Sequence, residues 1–204
     1  NKIVRQVTDD IIERSSVSRK LYLDKIQKAQ NTKIKRDFLS CGNIAHSIAG
    51  CNLKEKNDIA SGSKPNIGIV SAYNDMLSAH KPYENYPTFI KKIITKNNGT
   101  CQFAGGAPAM CDGVTQGQVG MELSLFSRDV IAQSTAVALS HNVFDGALML
   151  GICDKIVPGL LMGCLSFGHL PVIFVPAGPM PTGISNKEKK LAREAYINKK
   201  LTKS

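Results

Sequence analysis

Two kinds of hydrophobic patterning divide the chain. Over the first 50 residues, apolar positions such as Ile11, Ile12, Leu21, Leu23 and Ile26 recur at mixed three- and four-residue spacing, with Lys and Arg between them. That period predicts helices over residues 9–30 and 34–50. Residues 52–64 are polar, run into Ser61-Gly62-Ser63-Lys64-Pro65, and read as a loop. From residue 65 the pattern becomes short apolar runs separated by helical stretches. The runs are Ile67-Gly68-Ile69-Val70, Cys101 to Ala104, Ala147 to Ile152, and Val172-Ile173-Phe174-Val175. Between them, helices are expected over residues 83–96 and 118–140 and from near Pro158, a residue favoured in a first helical turn. In the longer helix, Leu123, Phe126, Val130, Ile131 and Val137 form the expected inward side.

Short strands alternating with helices imply βαβ units, right-handed crossovers and a parallel sheet. The expected fold is therefore α/β, a mostly parallel sheet flanked by helices. A helical segment, residues 1–64, precedes an α/β domain over residues 65–204. The chain's 204 residues suffice for one packed domain. No apolar run approaches the roughly 18–20 residues of a membrane span, and the N-terminus has no secretion-type apolar segment, so a cytoplasmic protein without membrane partners is expected.

The net charge of +10 changes this picture less than it first suggests. Residues 1–64 hold 13 Lys/Arg against 7 Asp/Glu, and residues 181–204 hold 7 against 2. The intervening 116 residues hold 6 against 7 and are nearly neutral. The basic flanks are Lys-rich and poor in aromatics, which fits solvated helix faces better than a nucleic-acid surface.

The unusual residues cluster just after the strands. Asn74-Asp75 follows the first, Cys111-Asp112-Gly113 the second, Cys153-Asp154-Lys155 the third and Gly178-Pro179 the fourth. In open α/β sheets, ligands bind outside the carboxyl ends of the strands, so these clusters define a candidate site. The six cysteines show no C-x-x-C pair and no zinc-finger spacing. Cys41, Cys51, Cys101 and Cys164 sit among apolar or small residues and read as buried hydrophobes. Cys111 and Cys153 differ, each being followed directly by Asp. A soft thiolate beside a hard carboxylate suits two metal centres of different softness, or else a loop cysteine beside an N-capping aspartate. Of the four histidines, His80 follows the first loop and could reach the site, whereas His141 and His169 close helices and His46 lies within one.

Three segments carry a family resemblance: residues 72–80 (AYNDMLSAH), 108–117 (PAMCDGVTQG) and 153–159 (CDKIVPG). They closely resemble the dihydroxy-acid and 6-phosphogluconate dehydratase family over residues 65–196, and with residues 166–171 (SFGHLP) they resemble its phosphogluconate branch. The resemblance implies an iron–sulfur hydro-lyase, a homodimer when full length. It would convert 6-phospho-D-gluconate to 2-dehydro-3-deoxy-6-phospho-D-gluconate in the Entner–Doudoroff route. By position, Cys153 resembles a cluster ligand, Asp112 and Asp154 resemble Mg2+ ligands, and Lys155 resembles a lysine that is carbamylated to become another oxygen ligand. Cys111, where the dihydroxy-acid branch has Asp, is a cluster ligand, a lining residue or neither. Ala79 stands where relatives with a smaller cluster have Cys, consistent with a [4Fe–4S] cluster. The resemblance also implies that a further cluster cysteine, a magnesium glutamate and a serine base lie beyond Ser204, so the chain is expected to be an incomplete N-terminal portion, inactive alone. Three other readings remain: another sugar-acid or dihydroxy-acid dehydratase, a catalytically silent binding module, and a nucleic-acid-binding fragment suggested only by the charge.

Overall fold

The computed structural model describes residues 1–31, 36–178 and 184–198. Its centre is a sheet of four parallel strands, β1 (Asn66–Ser71), β2 (Thr100–Gly106), β3 (Gly146–Leu150) and β4 (Val172–Val175), in the order β2-β1-β3-β4. The parallel α/β expectation is met. Alternation along the central strands sends neighbouring residues to opposite faces. Val70 and Met149 join one apolar cluster, while Ile69 and Leu150 join another. A bulge after Ile69 shifts the β1–β2 register, and Gly105 absorbs it with a φ of +150°.

Helices cover both faces. On one side lie α6 (Ser127–Leu139) and α7 (Ile156–Leu165); on the other lies α4 (Tyr86–Lys96), which adds Ile90 and Ile94 to the second cluster. α6 and α7 pack unusually closely because α7 offers glycines there. A Cβ on Gly159 would stand 2.8 Å from Ile131 Cβ, and one on Gly163 would stand 2.7 Å from the Ala132 carbonyl. Pro158 sits in the first turn of α7, where its missing N–H costs no helical bond.

Several expected boundaries shift. α1 runs from Lys2 to Asn31, seven residues earlier than expected, and meets the body through Tyr22 and Ile26 around Gly168. Part of the predicted second helix lies outside the described residues. The rest is a 3₁₀ turn, Arg36–Phe38, and α2 (Cys41–Ile48), with Ser40 as its N-cap. The polar stretch read as a loop contains α3 (Leu53–Ala60). Asn52 and Glu55 close a reciprocal capping box at its start, which offsets the weak apolar pattern.

The helix expected over 118–140 is two elements, a 3₁₀ segment at Val119–Leu123 and α6. Its inward face differs as well. Ile131, Thr135, Ala138 and Leu139 are buried, whereas Leu123, Phe126 and Val137 are exposed. The α7 glycines select this face: Gly159 leaves room for Ile131 and Gly163 for Thr135. Cys41, expected to be buried, is exposed at the first position of α2, while Cys101 and Cys164 are buried as expected. A 3₁₀ turn at Lys81–Glu84, a short α5 (Asp112–Thr115) and a C-terminal α8 (Asn186–Ile197) complete the described elements. Among the described residues, no helix is long and apolar enough to cross a membrane.

Candidate active site

From β1 the chain steps to β2 on one side and then to β3 on the other. Their connections therefore part above the carboxyl ends of β1 and β3, where an open sheet forms a crevice. A cavity of about 350 Å3 lies there, lined by Leu77 to His80 after β1, Met110 to Gly113 after β2 and Cys153 to Lys155 after β3. Six of the residues singled out for chemistry thus meet in one place: His80, Cys111, Asp112, Cys153, Asp154 and Lys155. Asp75 does not join them; it faces outward and pairs with Lys81 at 2.7 Å. Gly178 is not among the lining residues, and Pro179 lies outside the described residues.

The most constrained group is Lys155, only 3% exposed at the N-cap of α7. A buried ammonium needs compensation. Its Nζ donates to Asp112 Oδ1 in a short ion pair and to Ser124 Oγ at 3.0 Å. The Ser124 hydroxyl in turn donates to the same Asp112 oxygen at 2.8 Å. Lys155 and then Ser124 hold the Asp112 carboxyl below the usual carboxylate range. Neither aspartate caps a helix with its side chain: Asp112 is the first residue of α5, and Asp154 precedes the N-cap of α7. The N-capping alternative for the two Cys-Asp pairs is therefore not what the structure shows.

Cys153 is exposed and adopts a φ of +91°, a conformation that strains any residue with a Cβ. Its thiol donates to Asp154 Oδ1 at 3.0 Å. Burial of the sulfur and then this carboxylate raise the Cys153 pKa. Cys111 is half-buried, and its carbonyl anchors the amides of Val114 and Thr115, which fixes the start of α5.

His80 is 1% exposed. Its Nε2 accepts the Ile152 N–H at 3.2 Å, so the ring is neutral with its proton on Nδ1. Burial lowers its pKa from 6.5. Three residues on, the Tyr83 hydroxyl donates to the Val175 carbonyl and accepts the Ala177 N–H, while Asn74 donates to the Ala109 carbonyl. The loop after β1 thus ties together the loops after β2, β3 and β4.

Ser124 was not anticipated from the sequence. A serine between two leucines in a helical pattern resembles a surface residue, and its partners lie 12 and 31 positions away. The donors in the cavity fall into two chemical kinds, the Cys111 and Cys153 sulfurs and the Asp112 and Asp154 oxygens. They match a soft and a hard metal centre respectively, as a partial set. Among the described residues, no group of three or more His, Cys, Asp or Glu is arranged to hold a metal ion unaided.

Comparison with known proteins gives this arrangement a context. Residues 64–204 match the family model "Dihydroxy-acid/6-phosphogluconate dehydratase N-terminal". The chain is 56% identical over 201 residues to the phosphogluconate dehydratase of Escherichia coli strain K12, covering 98% of this chain and 33% of that protein. It is 57% identical over 198 residues to the phosphogluconate dehydratase of Zymomonas mobilis, covering 97% and 32% respectively. A dihydroxy-acid dehydratase of Endomicrobium trichonymphae is 36% identical over 134 residues, covering 65% of this chain and 24% of that protein. The chain spans about a third of the length of the curated phosphogluconate dehydratases it matches. With a cavity built from the same segments, this chain belongs to the dihydroxy-acid/6-phosphogluconate dehydratase family through its N-terminal region.

Proposed function

We propose that this chain is the N-terminal third of an enzyme that dehydrates 6-phospho-D-gluconate to 2-dehydro-3-deoxy-6-phospho-D-gluconate, the hydro-lyase step of the Entner–Doudoroff route. Residues 65–204 form its α/β part, with the helical segment 1–64 ahead of it. The carrying observation is the convergence of two thiols, two carboxylates and a buried lysine in one crevice, in a chain 56% identical to a protein named for this activity. The complete enzyme acts in the cytoplasm as a homodimer on a small-molecule substrate.

The reaction breaks the C2–H and C3–O bonds. The C2 proton goes to a base, the C3 hydroxyl leaves as water, and the resulting enol tautomerises to the 2-oxo acid. When bound, a [4Fe–4S] cluster and Mg2+ supply Lewis-acid polarisation of the C3 hydroxyl and stabilise negative charge on the C1 carboxylate and C2 oxygen. Cys153, with Cys111 beside it, would hold the cluster, and Asp112 and Asp154 would hold the cation. Because Asp112 and Asp154 supply few oxygens, the remaining ligands come from elsewhere in the enzyme. Lys155 would join the hard set on carbamylation, in which its ammonium first gives up a proton, the resulting amine adds to CO2 with formation of an N–C bond, and a second proton leaves. His80 acts by holding the Ile152–Cys153 turn, since its Nε2 is already engaged. The base that takes the C2 proton lies in the remainder of the enzyme.

This reading is tested by turnover of the full-length protein after anaerobic cluster reconstitution, comparing 6-phosphogluconate with 2,3-dihydroxyisovalerate. The expected result is a higher kcat/KM for 6-phosphogluconate. The opposite preference would assign the protein to the dihydroxy-acid branch. The 204-residue chain alone should be inactive, and turnover by it would contradict the view that the site is partial.

A further inference from the structure

In the run Leu123-Ser124-Leu125-Phe126, the apolar residues are 55%, 64% and 57% exposed, while Ser124 is only 4% exposed. Hydrophobic burial alone would favour the reverse arrangement. A buried hydroxyl is tolerated when hydrogen-bonded, so what Ser124 touches accounts for its placement.

The backbone at this position is held from both sides. The Ser124 N–H donates to the Met121 carbonyl at 2.9 Å, and the Ser124 carbonyl accepts the Ser127 hydroxyl at 2.6 Å. Only the Ser124 side chain is left to serve the cavity. A carboxylate only accepts and an ammonium only donates, so a group between them must do both. The hydroxyl does so, donating to Asp112 Oδ1 and accepting from Lys155 Nζ. Both cavity donors to Asp112 converge on Oδ1, and no hydrogen bond among the described residues reaches Oδ2.

We propose that Ser124 is a positioning residue of the cation site, holding Asp112 by Oδ1 and Lys155 by Nζ so that Asp112 presents Oδ2 to a divalent cation. This rests on the reading of Asp112 as a cation ligand. Partners that orient ligating groups typically change metal affinity by about 10–100-fold when removed. Ser124 supplies neither a ligand nor a proton to substrate; it fixes two groups that do the binding.

The test uses the full-length protein with Mn2+ as the probe, its free concentration followed by electron paramagnetic resonance. Thermal unfolding is followed in parallel. Ser124→Ala should weaken Mn2+ binding by about 10–100-fold, with the cluster absorption unchanged. Ser124→Thr, which keeps the hydroxyl, should bind close to wild type. If the alanine variant does not fold, Ser124→Cys carries the same test, because its sulfur is a weak hydrogen-bonding group of similar size. Wild-type affinity in Ser124→Ala, with binding abolished in Asp112→Asn, would overturn the proposal and leave Asp112 as a ligand. A threonine variant as weak as the alanine variant would also overturn it, because packing rather than the hydroxyl would then be responsible. Unchanged Mn2+ binding in Asp112→Asn would remove the underlying reading and the proposal together.

Discussion

His80 Nε2 accepts the Ile152 N–H, and the residue after Ile152 is Cys153, held at a φ of +91°. A histidine from the loop after β1 therefore fixes the turn that carries the thiol after β3. Replacing His80 with Ala leaves the Ile152 N–H without its partner, at a cost of about 1–3 kcal/mol. Hydrogen exchange should show the Ile152 amide losing protection in this variant, while amides in α4 keep theirs.

Burial of the same ring makes stability depend on pH. Burial depresses the pKa values of His80 and His169 below 6.5, so the unfolded chain binds more protons than the folded one just below that pH. Their contribution is complete above about pH 6.5 and is lost as pH falls through the folded values. A His80→Asn variant should show a shallower loss as pH falls below about 6.5, with the remaining slope due to His169. The depressed Asp112 carboxyl acts lower, its contribution being lost only below the ordinary carboxylate range. Urea unfolding at stepped pH separates the two windows.

Lys155 and Asp112 are unequal partners. Lys155 is buried, whereas the Asp112 side chain is 39% exposed. Removing Asp112 strands an ammonium out of water, but removing Lys155 leaves a carboxylate that water can reach. Asp112→Ala should therefore lower Tm more than Lys155→Met, and the double variant should recover part of the difference. Equal losses would mean that the ion pair does not account for how Lys155 is accommodated.

Burial and Asp154 together keep the Cys153 thiol protonated to higher pH than usual. Alkylation of the cluster-free protein by iodoacetamide should consequently be slow at Cys153 near neutral pH and accelerate as pH rises, since the thiolate is the reactive form. Asp154→Asn removes the carboxylate contribution and should speed modification of Cys153 at a fixed pH. Peptide mapping by mass spectrometry reads both effects.

Gly163 is where α7 approaches α6 most closely, and a methyl there would meet the Ala132 carbonyl and Thr135. Overpacking against backbone typically costs about 1–3 kcal/mol. Gly163→Ala should lower stability by that amount in chemical unfolding. Its contact lies away from the cavity lining, so metal affinity in the folded protein should stay at the wild-type value.

Local physics made much of this legible in the sequence. Runs such as Ile67 to Val70 read as buried strands, and the structure makes them so, with the singled-out residues just beyond their ends. The three segments quoted from the sequence are the same ones that line the crevice. What escaped detection depended on long-range geometry or on small signals. The apolar period of residues 118–140 does not say which face turns inward; the close approach of Gly159 and Gly163 decides that. α3 was hidden by weak hydrophobicity, although Asn52 and Glu55 carry its capping signature. Ser124 could not be recognised because its partners are distant in sequence. His80, expected to reach the crevice, lines it, and the bond from the Ile152 N–H that occupies its Nε2 is a long-range contact that the sequence does not show.

The most direct test of the central claim is dehydration of 6-phosphogluconate by the reconstituted full-length protein, wild type against Asp112→Asn. The crevice account predicts formation of 2-dehydro-3-deoxy-6-phosphogluconate by the wild type and a loss of at least about 100-fold in kcat in the variant, the scale expected for removing charge stabilisation at the reacting atoms. A wild type inert toward 6-phosphogluconate, or an Asp112→Asn enzyme as active as wild type, would contradict it.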